Sequence, residues 1–167
     1  NLTSYFDAII DGNKITEAKP NPMVFLKAAE ELHVEPSAAI VFEDADIDQA
    51  VFGAVSGIFA ATGQTCIAGS RLLVQESIYD EVVAKLLEVA KTAKMGNPME
   101  STTQVGPVTT MPQYKKVLDY IEIAKKDGAT LLLGGSPGKA PGCEKGWFVE
   151  PTIFGDVKNT MRIAQEE

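Results

Sequence analysis

Cysteine is nearly absent from this 167-residue chain: Cys66 and Cys143 are the two it has. They lie too far apart for a metal-ligand spacing and are too few for a disulfide scaffold. Such sparse cysteine fits a reducing, cytosolic setting. Basic residues are short as well: 15 Lys and Arg against 23 Asp and Glu leave a formal charge of −8. Without a basic stripe to neutralise phosphates, nucleic acid is excluded as a partner. No apolar run is long enough to cross a bilayer, and no basic-then-apolar leader is read at Asn1, so no membrane is expected. Internal repeats and low-complexity tracts are missing, which argues against a repeat array. What remains is an ordinary globular composition, 45% apolar and 23% charged, enough for one core or two small halves. Asn1 without a Met, and Glu166-Glu167 at the other end, read as cuts from something longer.

Helical and extended patterns alternate along the chain. Asn21-Pro22 reads as a helix start, followed by Val24, Phe25, Ala28, Ala29 and Leu32 at helical spacing. Residues 38–42 form a short apolar run suited to a buried strand. A helix is expected over residues 46–62 with Ile47, Ala50, Val51, Ala54 and Ile58 on its apolar face and Gly63 as its stop. Residues 71–75 read as a strand, and Ser77 with Asp80 as a capping box opening an amphipathic helix. Residues 94–112 read as loop, 113–127 as a helix ending at Gly128, and 129–133 as another buried strand. Residues 134–146 are again loop, and 147–154 are extended but broken by Pro151. This alternation predicts an α/β layered fold with a mainly parallel sheet.

The segment with most chemistry in it is Phe59-Ala60-Ala61-Thr62-Gly63-Gln64-Thr65-Cys66-Ile67-Ala68-Gly69-Ser70-Arg71. It sets a thiol in a turn of small residues just past a helix end and before an apolar strand. Gly63 and Gly69 leave room for a ligand to approach the backbone closely, and a thiolate is a strong nucleophile. A lone cysteine among apolar residues also suits a small buried hydrophobe. The segment closely resembles the catalytic-cysteine segment of the aldehyde dehydrogenase superfamily. The resemblance continues through Asn97-Pro98, Gly106-Pro107-Val108, Gln113-Tyr114-Lys115-Lys116 and residues 150–157 to the final Met161-Arg162-Ile163-Ala164-Gln165-Glu166-Glu167. It covers about residues 40–167.

That resemblance implies part of an aldehyde dehydrogenase catalytic domain. Cys66 matches the nucleophile that attacks the aldehyde carbonyl, and its backbone N–H one donor to the oxyanion. Glu167 matches the glutamate that holds the nicotinamide ribose, and Gln113 and Lys116 match positions reaching the same end of an NAD or NADP cofactor. Other family features are not found in these residues. They are the dinucleotide-binding domain, the asparagine of the oxyanion site, and the Glu-Leu-Gly-Gly-Lys run that carries the water-activating glutamate. Glu31-Leu32 mimics the start of that run, but its glycines are missing and the spacing to Phe42 is one residue too long. One residue turns a helical side chain by about 100°, so Glu31 is not expected to serve as base. The expectation is a segment that is inactive alone.

The first third resembles another family. Residues 5–12, Lys19-Pro20-Asn21-Pro22 and Ala39-Ile40-Val41-Phe42-Glu43-Asp44-Ala45 are similar to haloacid dehalogenase-like hydrolases of the β-phosphoglucomutase-like branch. There Lys19 matches a phosphate-balancing lysine, and Glu43 and Asp44 an acidic pair for Mg²⁺. A solvated lysine and a helix-start acidic pair are the plainer readings. The phosphoryl-accepting aspartate of that family is not present. The expected organisation is therefore a haloacid dehalogenase-like segment, residues 1–45, joined at a seam near 40–45 to an aldehyde dehydrogenase-like segment, residues 46–167. Rival readings are a Mg²⁺-dependent phosphatase or phosphomutase remnant, and a non-catalytic scaffold that self-associates through exposed sheet edges.

Overall fold

The computed structural model describes Glu30, the backbone of residues 39–41, and residues 46–166. The expected helix start at Asn21-Pro22 lies outside these residues. Strand β1 (Ala39–Val41) leads to helix α1 (Ile47–Phe59) and strand β2 (Arg71–Leu73). Helix α2 (Tyr79–Lys91) and helix α3 (Met111–Asp127) follow, then strands β3 (Thr130–Leu133) and β4 (Ile153–Gly155), and the short helix α4 (Arg162–Glu166).

The mainly parallel sheet expected from the alternation does not form. Among the described residues the strands make two separate pairs, β1–β2 parallel and β3–β4 antiparallel. The difference lies in the connections. Helix α1 is the crossover that lets β2 return parallel to β1 in register Ala39 to Arg71. Between β3 and β4 runs a helix-free loop, which suits an antiparallel return instead. Nor is β3 a buried strand, since Leu131 is 38% exposed.

The helix boundaries follow local chemistry. Asp46 caps α1 by accepting from the Gln49 amide at 3.0 Å. Helix α3 starts two residues before the expected point because Thr110 caps it and Pro112 fits the first turn. It ends where expected, with Gly128 in the left-handed conformation (φ 92°). The capping box at Ser77 is not formed. Residues Glu76–Ile78 make a 3-10 turn, the Ser77 hydroxyl accepts from the Gln75 side-chain amide at 2.9 Å, and α2 has no side-chain cap.

Three core clusters surround β4. Val51 and Ala54 of α1 meet Val82 and Leu86 of α2, with Leu72, Val74 and Ile153 against them. Val108, Ile121 and Val149 form a second cluster and Ala124, Ala129 and Met161 a third, and Phe154 packs against both. Successive strand residues point to opposite faces. Ile153 and Phe154 therefore hold the α1–α2 layer on one side and α3 with α4 on the other. The cysteine turn leaves the first layer, and the segment ending in α4 belongs to the second.

Candidate functional site

The chain reverses sharply after α1. Ala60–Gly63 forms a 3-10 turn in which Ala61 (φ 48°), Thr62 (φ 60°) and Gly63 (φ 69°) all take left-handed backbone angles. Only glycine adopts that region freely, and a β-branched threonine there is strained. Tertiary bonds hold the turn in place. The Gln64 amide N–H donates to Ala61 O at 3.1 Å, and the Gln64 side-chain oxygen accepts from Thr109 N–H at 3.0 Å. The Thr62 hydroxyl donates to Gly106 O at 3.4 Å. Gly63 stays glycine for a further reason: a Cβ would come within 3.3 Å of Ile58 O.

Cys66 follows in a tight turn closed by Ala68 N–H donating to Thr65 O at 3.1 Å, and it is exposed, as is Ile67 at 81%. Packed burial as a small hydrophobe is thus not its state here. Beside the turn lies an open cleft of about 420 Å³ lined by Thr62, Gln64, Thr103, Gln104, Pro107 and Thr109 among others. Its lining is neutral, and Cys66 is not part of it. Cys143, on the loop between β3 and β4, is partly exposed.

Gln113 and Lys116 stand exposed one turn apart on α3. Tyr120 continues the same stripe, with the Lys116 ammonium 5.4 Å and the Arg162 guanidinium 6.0 Å from its ring centre. The Tyr120 hydroxyl donates to Glu166 Oε2 at 2.7 Å, while Arg162 Nε and Nη2 donate to the two Glu166 oxygens at 3.0 and 2.8 Å. Arg162 foremost, then the phenol, holds the Glu166 carboxyl down at about 2. Lys116 and the end of α4 are therefore neighbours through Tyr120. Glu167, one residue further on, lies outside the described residues, as do Lys19, Glu31, Glu43 and Asp44. Among the described residues no group of three His, Cys, Asp or Glu could hold a metal ion, and no helix is long and apolar enough to cross a membrane.

The cysteine side and the α3–α4 side are joined directly. Arg71 Nη2, in β2, donates to Ala164 O in α4 at 2.8 Å. Sequence patterns gave no sign of Arg71, Tyr120 or Gln64 as positioning groups. Tyr120 could have been found from its place one further turn along the Gln113–Lys116 stripe. The partner of Arg71 is 93 positions away, beyond any local signal.

An amide and an ammonium one turn apart on α3 are both exposed and can donate to oxygen acceptors. Among the described residues no helix opens on a glycine-rich turn of the kind that cradles a pyrophosphate.

The sequence model of the aldehyde dehydrogenase family matches residues 21–167, running across the seam expected near 40–45, so a separate haloacid dehalogenase-like segment and a chimeric origin find no support. The chain is 48% identical over 131 residues to betaine aldehyde dehydrogenase of Mesorhizobium japonicum, and 50% identical over 131 residues to aldehyde dehydrogenase 1A1 of Bos taurus. These matches cover 78% of the chain but only 27% and 25% of the relatives, so the chain spans about a quarter of their length. Betaine aldehyde dehydrogenase of Staphylococcus aureus, solved with NAD+, superposes with a TM-score of 0.75 at 39% identity, over 78% of this chain and 26% of that one. The indole-3-acetaldehyde dehydrogenase AldA of P. syringae, solved with NAD+ as a C302A mutant, gives 0.72 at 43% identity, over 77% and 26%.

Proposed function

The chain belongs to the aldehyde dehydrogenase family, and we propose that it is a catalytic-domain segment carrying that family's nucleophile, Cys66. The observation that carries this reading is the exposure of Cys66 just after a strained turn, residues 60–63, that three tertiary and local hydrogen bonds hold in shape. A thiolate at Cys66 adds to an aldehyde carbonyl to give a thiohemiacetal, with the Cys66 N–H donating to the new oxyanion. When bound, NAD(P)+ supplies the hydride acceptor for that carbon. Cys66 then holds the acyl group as a thioester until water cleaves it to the acid and frees the thiol. Gln113, Lys116 and Glu167 hold the ribose end of the cofactor, with Lys116 and the α4 terminus brought together by Tyr120.

In this reading the segment does not turn over aldehyde alone. The run bearing the water-activating glutamate, the second oxyanion donor and the pyrophosphate cradle are not among its 167 residues. An alkylation series tests the nucleophile: Cys66 and Cys143 are reacted with iodoacetamide across the pH range and resolved by peptide mass spectrometry. Cys66 is expected to react faster and to keep reacting at lower pH than Cys143. Equal rates, both titrating near the ordinary thiol value of about 8.5, would remove the case for an activated nucleophile.

A further inference from the structure

Helix α4 has only five residues, Arg162–Glu166. Isolated helices shorter than about 12–15 residues are marginal in water, so its place must be set from outside. On the α3 side, Tyr120 holds Glu166, and the Asp127 carboxylate accepts from Arg162 N–H at 2.9 Å. Buried Met161 packs with Ala124 and Ala129, with Ile163 against them, and Ala164 is buried as well. From the opposite side comes Arg71. Its guanidinium meets the Ala164 carbonyl, one of the last four in the helix, which have no partner within it. A cation there also suits the negative end of the helix dipole. Arg71 opens β2, and β2 is the strand that follows the Cys66 turn.

We propose that Arg71 is a positioning residue that fixes the Cys66 turn relative to the end of α4, and so sets the nucleophile against the cofactor's ribose. The inference rests on the reading that Glu167 and Lys116 hold that ribose. Arg71 touches neither cofactor nor aldehyde in this account; it acts through Ala164. Lysine cannot replace it fully, because a single flexible ammonium lacks the fixed fork of a guanidinium.

The test uses the full chain with Cys143→Ser, so that Cys66 is the one alkylation reporter. Nicotinamide mononucleotide, which carries the ribose end without the rest of the dinucleotide, is the probe. In the parent protein the probe should slow alkylation of Cys66. In Arg71→Met, alkylation without probe should stay within about two-fold, while half-protection should need about ten-fold more probe, the scale of one charge-assisted hydrogen bond. Arg71→Lys should fall between. Amide exchange at residues 165 and 166 should quicken in Arg71→Met while exchange in the middle of α3 does not. Protection that is equal in the parent and in whichever Arg71 variant folds overturns the coupling and leaves the ribose reading standing. No protection in the parent overturns the ribose reading and the proposal with it.

Discussion

The phenol of Tyr120 donates to the Glu166 carboxylate at 2.7 Å, joining the middle of α3 to the end of α4 across 46 positions of sequence. With the two Arg162 bonds it keeps the Glu166 carboxyl ionised down to about 2 against an ordinary 4.5. The folded chain thus binds this proton more weakly than the unfolded chain does. The stabilisation is complete above about pH 4.5 and is lost as pH falls towards 2. A carboxyl carbon titration by NMR should find Glu166 near the lower value. Tyr120→Phe should raise it, though not to 4.5, because Arg162 remains. An unchanged titration in Tyr120→Phe would mean that the phenol contributes nothing to the ionised form.

The turn before Cys66 is a place where glycine should help. Ala61 has φ 48°, where an L side chain costs roughly 1–2 kcal/mol, whereas Ala60 has φ −56°. Glycine loses about 0.5–1 kcal/mol in backbone entropy wherever it is placed. Ala61→Gly should therefore be neutral or stabilising by up to about 1 kcal/mol, and Ala60→Gly destabilising by about 0.5–1 kcal/mol. Urea melts of the pair decide the matter. If both lose stability equally, the left-handed turn is not the folded conformation in solution.

Leu86 and Phe52 lie on opposite sides of the α1–α2 layer's boundary with solvent. Leu86 is 5% exposed and Phe52 67%. Leu86→Ala should cost about 2–5 kcal/mol through lost transfer energy and a residual cavity. Phe52→Ala should change stability by no more than about 0.5 kcal/mol in the monomer. A large loss for Phe52→Ala that grows with protein concentration would show its ring buried between copies.

Thr110 anchors the helix that carries Gln113 and Lys116. Its hydroxyl accepts from Gln113 N–H at 3.4 Å, a long bond, so Thr110→Ala should fall at the low end of the usual 0.5–2 kcal/mol, about 0.5 kcal/mol. Thr110→Ser, which keeps the acceptor, should restore it. Exchange rates of the first-turn amides of α3 provide the direct reading.

Local signals in the sequence were dependable where the deciding partner is a near neighbour. Gly128 ends α3 because a left-handed residue directly after Asp127 turns its own N–H back to the Ala124 and Lys125 carbonyls, and that requirement is written in adjacent residues. The apolar faces of α1 and α2 were legible from helical spacing for the same reason. Ser77 shows the limit: its hydroxyl had two local choices, and it took the Gln75 side chain rather than the helix. Thr110 shows the converse, a cap hidden in a stretch that read as loop.

Pairing direction was not legible. Short apolar runs show that strands exist, but the direction in which β4 returns to β3 depends on the path of the loop between them. That path is fixed by long-range bonds such as Val108 N–H to Trp147 O at 2.8 Å and Gly138 N–H to Phe148 O at 2.8 Å. The expected single parallel sheet failed on this point.

For the candidate site, the residues around Cys66 were enough by themselves to give the kinship and to nominate the thiol, because that segment is contiguous. They could not give the thiol's exposure, the strained backbone beneath it, or the tie from Arg71 to Ala164. Those depend on bringing β2 against α4 and Gln64 against Thr109, each closed by chain many positions away. Sequence carries local chemistry in adjacent residues; contacts between distant ones come into being only when the core around Ile153 and Phe154 assembles both layers.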